Sequence, residues 1–155
     1  MELKTKVDAE DGRHDITITR EFDLPVGLLF KACTEAEFIE QWMGTKVIRF
    51  EGKKHGSYQF ETSNPQGPVV LQMIGVIHDL VPNQKIIRTF EMANMSFGVQ
   101  LEVYEFKALT DGTSRLNAYI IYESVAQRDQ VLQMPFRQGL NMAHNRLEEI
   151  ISKLK

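Results

Sequence analysis

One cysteine, one tryptophan and five prolines in a chain of 155 residues set the first limits. Cys33 alone cannot form an intramolecular disulfide, and this fits a reducing compartment. No CxxC, HxxxH or HExxH spacing occurs. His14, His55, His78 and His144 are scattered, so the ligand clusters of a zinc site are missing. GxSxG is absent, and Gly52-Lys53-Lys54-His55-Gly56 lacks the Lys-Ser/Thr pair of a phosphate-binding loop. Apolar runs stop after a few residues, far below the ~20 that a spanning helix needs. The opening MELKTKVDAEDG has no apolar core of a secretory signal. Basic residues do not cluster beyond Lys53-Lys54-His55, and the net charge is −3. This argues against nucleic acid and anionic membranes as main partners. These absences lead us to expect a cytoplasmic protein with no cofactor, no metal, no membrane insertion and no nucleic acid.

What is present reads as an ordinary globular chain: 43% hydrophobic and 25% charged residues. Its length suits one domain. Residues 1–12 are polar and read as a flexible N-terminal tail, leaving 13–155 as a single domain. From His14 the pattern alternates, with Ile16 and Ile18 apolar and Thr17 and Thr19 able to face water, which predicts a strand to about Phe22. Asp23-Leu24-Pro25 then opens a helix, with Asp23 placed to cap it and Val26, Leu29, Phe30 and Cys33 at helical spacing. Thr34-Glu35-Ala36-Glu37 matches a capping box for a second short helix, ended by Gly44. Strands follow at Val47 to Phe50, Gly56 to Phe60, Val69 to His78, Lys85 to Met92, Phe97 to Ala108 and Ser114 to Tyr122. Turn sequences separate them, including Asn64-Pro65-Gln66-Gly67-Pro68 and Thr110-Asp111-Gly112. From Ser124 the pattern is helical to the end. Phe136, Leu140, Ala143, Leu147, Ile150 and Leu154 form one apolar stripe, and Arg137, Asn141, Arg146, Glu149 and Lys153 form a polar face. Pro135 should kink this helix or start its second half.

The implied class is α+β: a curved antiparallel sheet of about seven strands wrapped around a long C-terminal helix, with two short helices after the first strand. A sheet face is wide and one helix only about 10–12 Å across. The space left over is either filled by large side chains or kept as a cavity. The exposed edges of an open sheet also allow a homodimer.

This order of elements resembles the START-like superfamily with the helix-grip fold, also called SRPBCC or Bet v-like. Within it the chain is most similar to bacterial homologues of the C-terminal domain of the activator of the Hsp90 ATPase. The resemblance runs from about Asp15 to Leu154. It rests on Arg20-Glu21-Phe22-Asp23-Leu24-Pro25, Phe30-Lys31-Ala32 with Thr34 and Glu35, and Gln41-Trp42-Met43-Gly44. It continues through Gly56-Ser57-Tyr58-Gln59-Phe60, Gly75 to Pro82, Asp111-Gly112-Thr113-Ser114-Arg115-Leu116, and Gly139. Met43 stands where a second aromatic is frequent, and Leu140 where Trp often follows the helix glycine. The resemblance implies a hydrophobic pocket between helix and sheet. Some relatives bind lipids, sterols or polyketides, some catalyse cyclisation or ring chemistry, and some act on a chaperone.

Seven methionines and a set of aromatics supply adaptable apolar surface. Candidate walls of a ligand cavity are Trp42, Phe60, Met73, Tyr104, Tyr119, Phe136 and Met142, against the simpler reading that all of them fill the core. Arg20 and Glu123, near the ends of neighbouring strands, are a candidate charge pair. His144, beside Ala143 on the last helix, is the first residue to inspect for acid–base chemistry. Cys33, on the apolar side of its helix, reads as inert. No residue is assigned as catalytic. The expected function is the binding of a small hydrophobic or aromatic molecule between sheet and C-terminal helix. The alternatives are a cyclase or isomerase acting in the same cavity and a protein-interaction module of the chaperone-activator kind, for which the sequence itself holds no support.

Overall fold

The computed structural model describes residues 3–155. They form β1 (Lys6–Asp8), β2 (Asp15–Phe22), α1 (Val26–Thr34), α2 (Ala36–Met43), β3 (Lys46–Phe50) and β4 (Ser57–Ser63). After these come β5 (Val69–Val81), β6 (Lys85–Met92), β7 (Val99–Ala108), β8 (Ser114–Ile121), α3 (Val125–Gln133) and α4 (Phe136–Ser152). The strands make one antiparallel sheet in the order β1-β2-β8-β7-β6-β5-β4-β3. From β3 to β8 each strand pairs with the next through a short turn, the meander read from the turn residues. β8 then returns β2 to the sheet, with Ile16 opposite Ile120 and Ile18 opposite Ala118. This is an α+β helix-grip architecture.

The strand added to the seven expected is β1, which lies within the segment read as a flexible tail. Its polar Lys-Val-Asp composition hides it, and Val7 pairs with Ile18 at the edge of the sheet. Thr5, just before it, is buried. Its backbone N–H donates to Asn141 Oδ1 at 3.0 Å, and its hydroxyl lies 2.9 Å from His144 Nδ1. Polar contacts with α4 thus hold down a segment that has no apolar pattern to reveal it.

Helix ends depart from the sequence reading in definable ways. Glu35 is the only residue between α1 and α2, so Thr34 still belongs to α1. Its hydroxyl donates back to the Phe30 carbonyl instead of closing a capping box. Pro25 rather than Asp23 occupies the N-cap of α1, without a side-chain cap bond. At α3 a half-box forms, with Ser124 Oγ accepting from the Gln127 N–H. Pro135 separates α3 from α4, and Met134 before it is extended (ψ 162°), as a residue preceding proline prefers. On α4, Leu147 and Ile151 are fully buried. Leu154 lies beyond the helix end and is exposed, so Ile151 takes the place expected for it. Asn141, read as part of the polar face, is buried because it accepts the Thr5 N–H.

Glycine 75 fixes one detail of the interior. It lies opposite Tyr58, and a Cβ there would fall 2.0 Å from the Thr89 carbonyl oxygen and 2.5 Å from the Tyr58 hydroxyl. Only glycine lets the Tyr58 ring cross β5 and donate its hydroxyl proton to Thr89 on β6. Tyr58 is thereby pinned over the middle of the sheet. No helix of the described residues is long and apolar enough to cross a membrane.

Candidate functional site

Between the concave face of the sheet and the helices lies a cavity of about 460 Å³, within the size range of small-molecule sites. Alternation along the strands decides which side chains reach it. β6 contributes Ile86, Arg88 and Phe90, β7 contributes Glu102 and Tyr104, and β8 contributes Leu116 and Ala118. Phe60 on β4 and Leu71 and Met73 on β5 close one side. Cys33 of α1 and Ile39, Trp42 and Met43 of α2 close another. The roof is α4, through Phe136, Gly139, Leu140, Ala143, His144 and Leu147. Gly139 and Ala143, one turn apart, are small, and a Cβ on Gly139 would meet nothing within 4 Å. Met134, Pro135 and Gly139 line the cavity and are also exposed, so it opens to solvent beside the break between α3 and α4.

Of the candidate walls, Trp42, Phe60, Met73, Tyr104 and Phe136 line this space. Trp42 is fixed by its indole N–H, which donates to the Ala32 carbonyl at 2.8 Å. Phe60 and Met73 are directly opposite each other in the β4–β5 ladder. Tyr119 and Met142 lie outside. Tyr119 alternates with the inward Ala118 and Ile120 and is 38% exposed. Met142 falls between the inward Asn141 and Ala143–His144 positions of α4 and is 59% exposed.

Apart from His144, the polar part of the lining is one group that sequence reasoning missed. Arg88 and Glu102 are directly opposite on β6 and β7, and Arg88 Nε lies 2.8 Å from Glu102 Oε1. The Tyr104 hydroxyl donates to the same oxygen at 2.8 Å, and Arg88 Nη2 donates to the Tyr104 oxygen at 3.2 Å. Gln100 Nε2 donates to Glu102 Oε2 at 2.7 Å. The Arg88 guanidinium also sits 4.9 Å from the ring centre of Tyr58 and 5.0 Å from that of Tyr104. A usable signal existed: Arg88 lies two residues from Ile86 and from Phe90, so its parity is that of an inward face. Glu102 likewise shares parity with Tyr104 and Phe106.

The titration of these groups follows from burial. Desolvation, reinforced by Glu102, raises the Tyr104 phenol well above its ordinary value, so it stays a neutral donor. Desolvation pushes the Cys33 thiol up to about 12, which removes it as a nucleophile near neutral pH. His144 is lowered to about 3 by desolvation and by the nearby Arg20 charge. Its imidazole is thus neutral, with Phe22 edge-on at 5.5 Å and Trp42 at 6.3 Å.

Behind His144 the buried Arg20 donates to Thr5 Oγ1 and pairs with Glu148 Oε2, each at 3.2 Å. It does not pair with Glu123, whose Oε2 accepts from Gln127. Arg20 shares the inward parity of Ile16, Ile18 and Phe22 and so reaches α4. Among the described residues, no three of His, Cys, Asp or Glu converge to hold a metal ion.

Solved structures of the same fold are numerous. A protein from Rhodobacter sphaeroides superposes with a TM-score of 0.85 at 17% identity, covering 96% of this chain and 99% of that one. One from Arthrobacter aurescens gives 0.83 at 16% identity, covering 96% and 91%. One from Mycobacterium smegmatis gives 0.81 at 21% identity, covering 97% and 99%. At these identities the likeness concerns the fold. No curated protein matches the chain at a significant level. The family model described as activator of Hsp90 ATPase homolog 1-like protein matches residues 23–152, from the turn before α1 to the last residue of α4. That span takes in both short helices, every strand from β3 to β8 and the helix that roofs the cavity, and the chain therefore belongs to this family.

Proposed function

We propose that the protein binds a small hydrophobic or aromatic molecule in the cavity between the sheet and α4. The observation that carries this reading is the cavity itself, about 460 Å³ and lined almost wholly by apolar side chains. Its apolar walls supply the driving force, roughly 25 cal/mol per Å² of apolar surface removed from water, before ordering costs. Catalysis is less well supported. A general acid or base works best with a pKa near the working pH. His144 and Cys33 are shifted far from neutrality in opposite directions, and Tyr104 is raised. Native mass spectrometry of the purified protein, followed by a thermal-shift screen with lipophilic and aromatic compounds, tests the proposal. A co-purified mass or a saturable rise in Tm is expected. No adduct and no shift across a broad library would overturn it.

A second reading, contact with another protein, has one observation of its own. Val99, Leu101, Tyr119 and Ile121 are exposed on the outer face of β7 and β8, where Leu101 is directly opposite Ile121. Alanine at Leu101 and Tyr119 would weaken such a contact and leave small-molecule binding unchanged.

A further inference from the structure

The polar group in the cavity wall has unequal hydrogen-bonding capacity left over. Both oxygens of Glu102 are engaged: Oε1 by Arg88 Nε and the Tyr104 hydroxyl, and Oε2 by Gln100. The Tyr104 hydroxyl is used in both directions, donating to Glu102 and accepting from Arg88 Nη2. Arg88 is different. A guanidinium carries five N–H donors. Only Nε and Nη2 are bonded, and among the described residues Nη1 has no partner. Among the described residues the sealed, unpartnered polar side-chain atoms are Arg20 Nε and Gln127 Oε1, so Nη1 is not sealed off. Arg88 lines the cavity. The flanking Tyr58 and Tyr104 rings leave the guanidinium its edge for further bonding. Glu102 Oε2 keeps one lone pair beside the Gln100 bond, so the largest spare capacity of this group is the Arg88 Nη1 donor.

Charge narrows the class of acceptor. Glu102 already neutralises Arg88 at 2.8 Å, so a second carboxylate docked on the same guanidinium would face the first in a low-dielectric space. A neutral acceptor meets no such opposition. Resting on the binding function proposed above, we infer that the cavity takes an apolar, ring-sized molecule bearing one neutral hydrogen-bond acceptor, a carbonyl or ether oxygen, seated on Arg88 Nη1. The surrounding Ile86, Phe90, Met73 and Leu116 hold the apolar body, and Arg88 sets its orientation.

Three probes sharing one skeleton test this by isothermal titration calorimetry: naphthalene, 2-acetylnaphthalene and 2-naphthoate. The ketone should bind about tenfold tighter than the hydrocarbon, the value of a hydrogen bond from a charged donor, and tighter than the carboxylate. Arg88→Met alone would strand Glu102, so the informative variant is Arg88→Met/Glu102→Met/Tyr104→Phe, which removes every member of the group together. In it the ketone-to-hydrocarbon ratio should fall to about one, whatever the change in naphthalene affinity itself. Tyr104→Phe alone should keep the ratio, because that hydroxyl proton is committed to Glu102. A ratio retained in the triple variant, or lost in Tyr104→Phe alone, overturns the assignment to Arg88. A carboxylate that binds as tightly as the ketone overturns the choice of a neutral acceptor. Naphthalene binding without ketone preference in the parent protein overturns this inference alone. Absence of binding by all three probes, together with a silent thermal-shift screen, overturns the binding function with it.

Discussion

At its C-terminal end α4 is packed solid. Ile151 is fully buried in a cluster with Phe22, Leu24, Leu29 and Phe30. At its N-terminal end the same helix turns Phe136, Gly139, Leu140 and Ala143 toward the cavity. Leu147 marks the boundary, fully buried yet still touching the cavity. The two ends carry one apolar stripe, but they face different floors. α1 lies against the sheet under one end, and its Leu29, Phe30 and Ala32 fill the gap. Under the other end the floor is strand without an intervening helix: Phe136 and Leu140 pack, partly buried, against the cluster of Ile16, Ile18, Ala118 and Ile120, while Gly139 and Ala143 are small and leave space. An apolar stripe therefore fixes which way a helix faces, while what lies opposite decides whether that face is core or container.

Five changes would sharpen this contrast, from the largest effect to the smallest. Arg88→Met leaves the buried Glu102 without its cation and should cost about 3–5 kcal/mol in denaturant unfolding. The cost should shrink sharply when Glu102→Met is added, and a double variant as unstable as the single one would contradict the pairing. Ile151→Ala, at the packed end, should cost about 3 kcal/mol and leave ligand affinity within about twofold. Phe136→Ala, at the hollow end, should show the reverse: about 1 kcal/mol of stability and about a tenfold weaker Kd. Equal effects of the two on both readouts would erase the distinction between the ends.

The fourth change is in pH. His144 titrates near 3 when folded and near 6.5 when unfolded. Between these values the unfolded chain holds the extra proton, so stability should fall as pH drops below about 6.5. The slope should be at most about 1.4 kcal/mol per pH unit for this one group, and it should flatten in His144→Gln. The smallest effect is a gain. Gly139→Ala adds a methyl where nothing lies within 4 Å. It should raise stability by about 0.5–1 kcal/mol through helix propensity, whereas Gly139→Leu should obstruct the cavity and weaken binding.

Much of this frame can be read from residue patterns because it depends on local periodicity. The Ile16/Ile18 alternation, the turn at Asn64–Pro68 and the apolar spacing on the last helix each act within a few residues. The parts that were not legible depend on register between distant strands. Arg88 meets Glu102 only because β6 and β7 align them, and a one-residue slip of either strand would turn its member of the pair outward. Tyr119 was misplaced for the same reason, since its neighbours Ala118 and Ile120 hold the inward parity. Met142 shows the helical version: one position away from Ala143 is enough to leave the cavity wall. β1 escaped because a short edge strand held by Thr5 needs no apolar alternation of its own.

That last anchor also bears on the order in which the molecule assembles. Thr5 meets Asn141 and His144 across separations of 136 and 139 residues, near the longest loops the chain can close. Loop closure of this size is entropically costly and slow relative to hairpin pairing. During synthesis, which runs N-terminal end first, the meander from β3 to β8 can zip up before α4 exists. The packing of α4 on α1 and α2 is completed by the Thr5 contacts only when the N-terminal segment and the last helix find each other. Under the binding function proposed above, a molecule that reaches the chain before that moment meets an open sheet, and one that arrives afterwards meets an opening beside Met134 and Pro135.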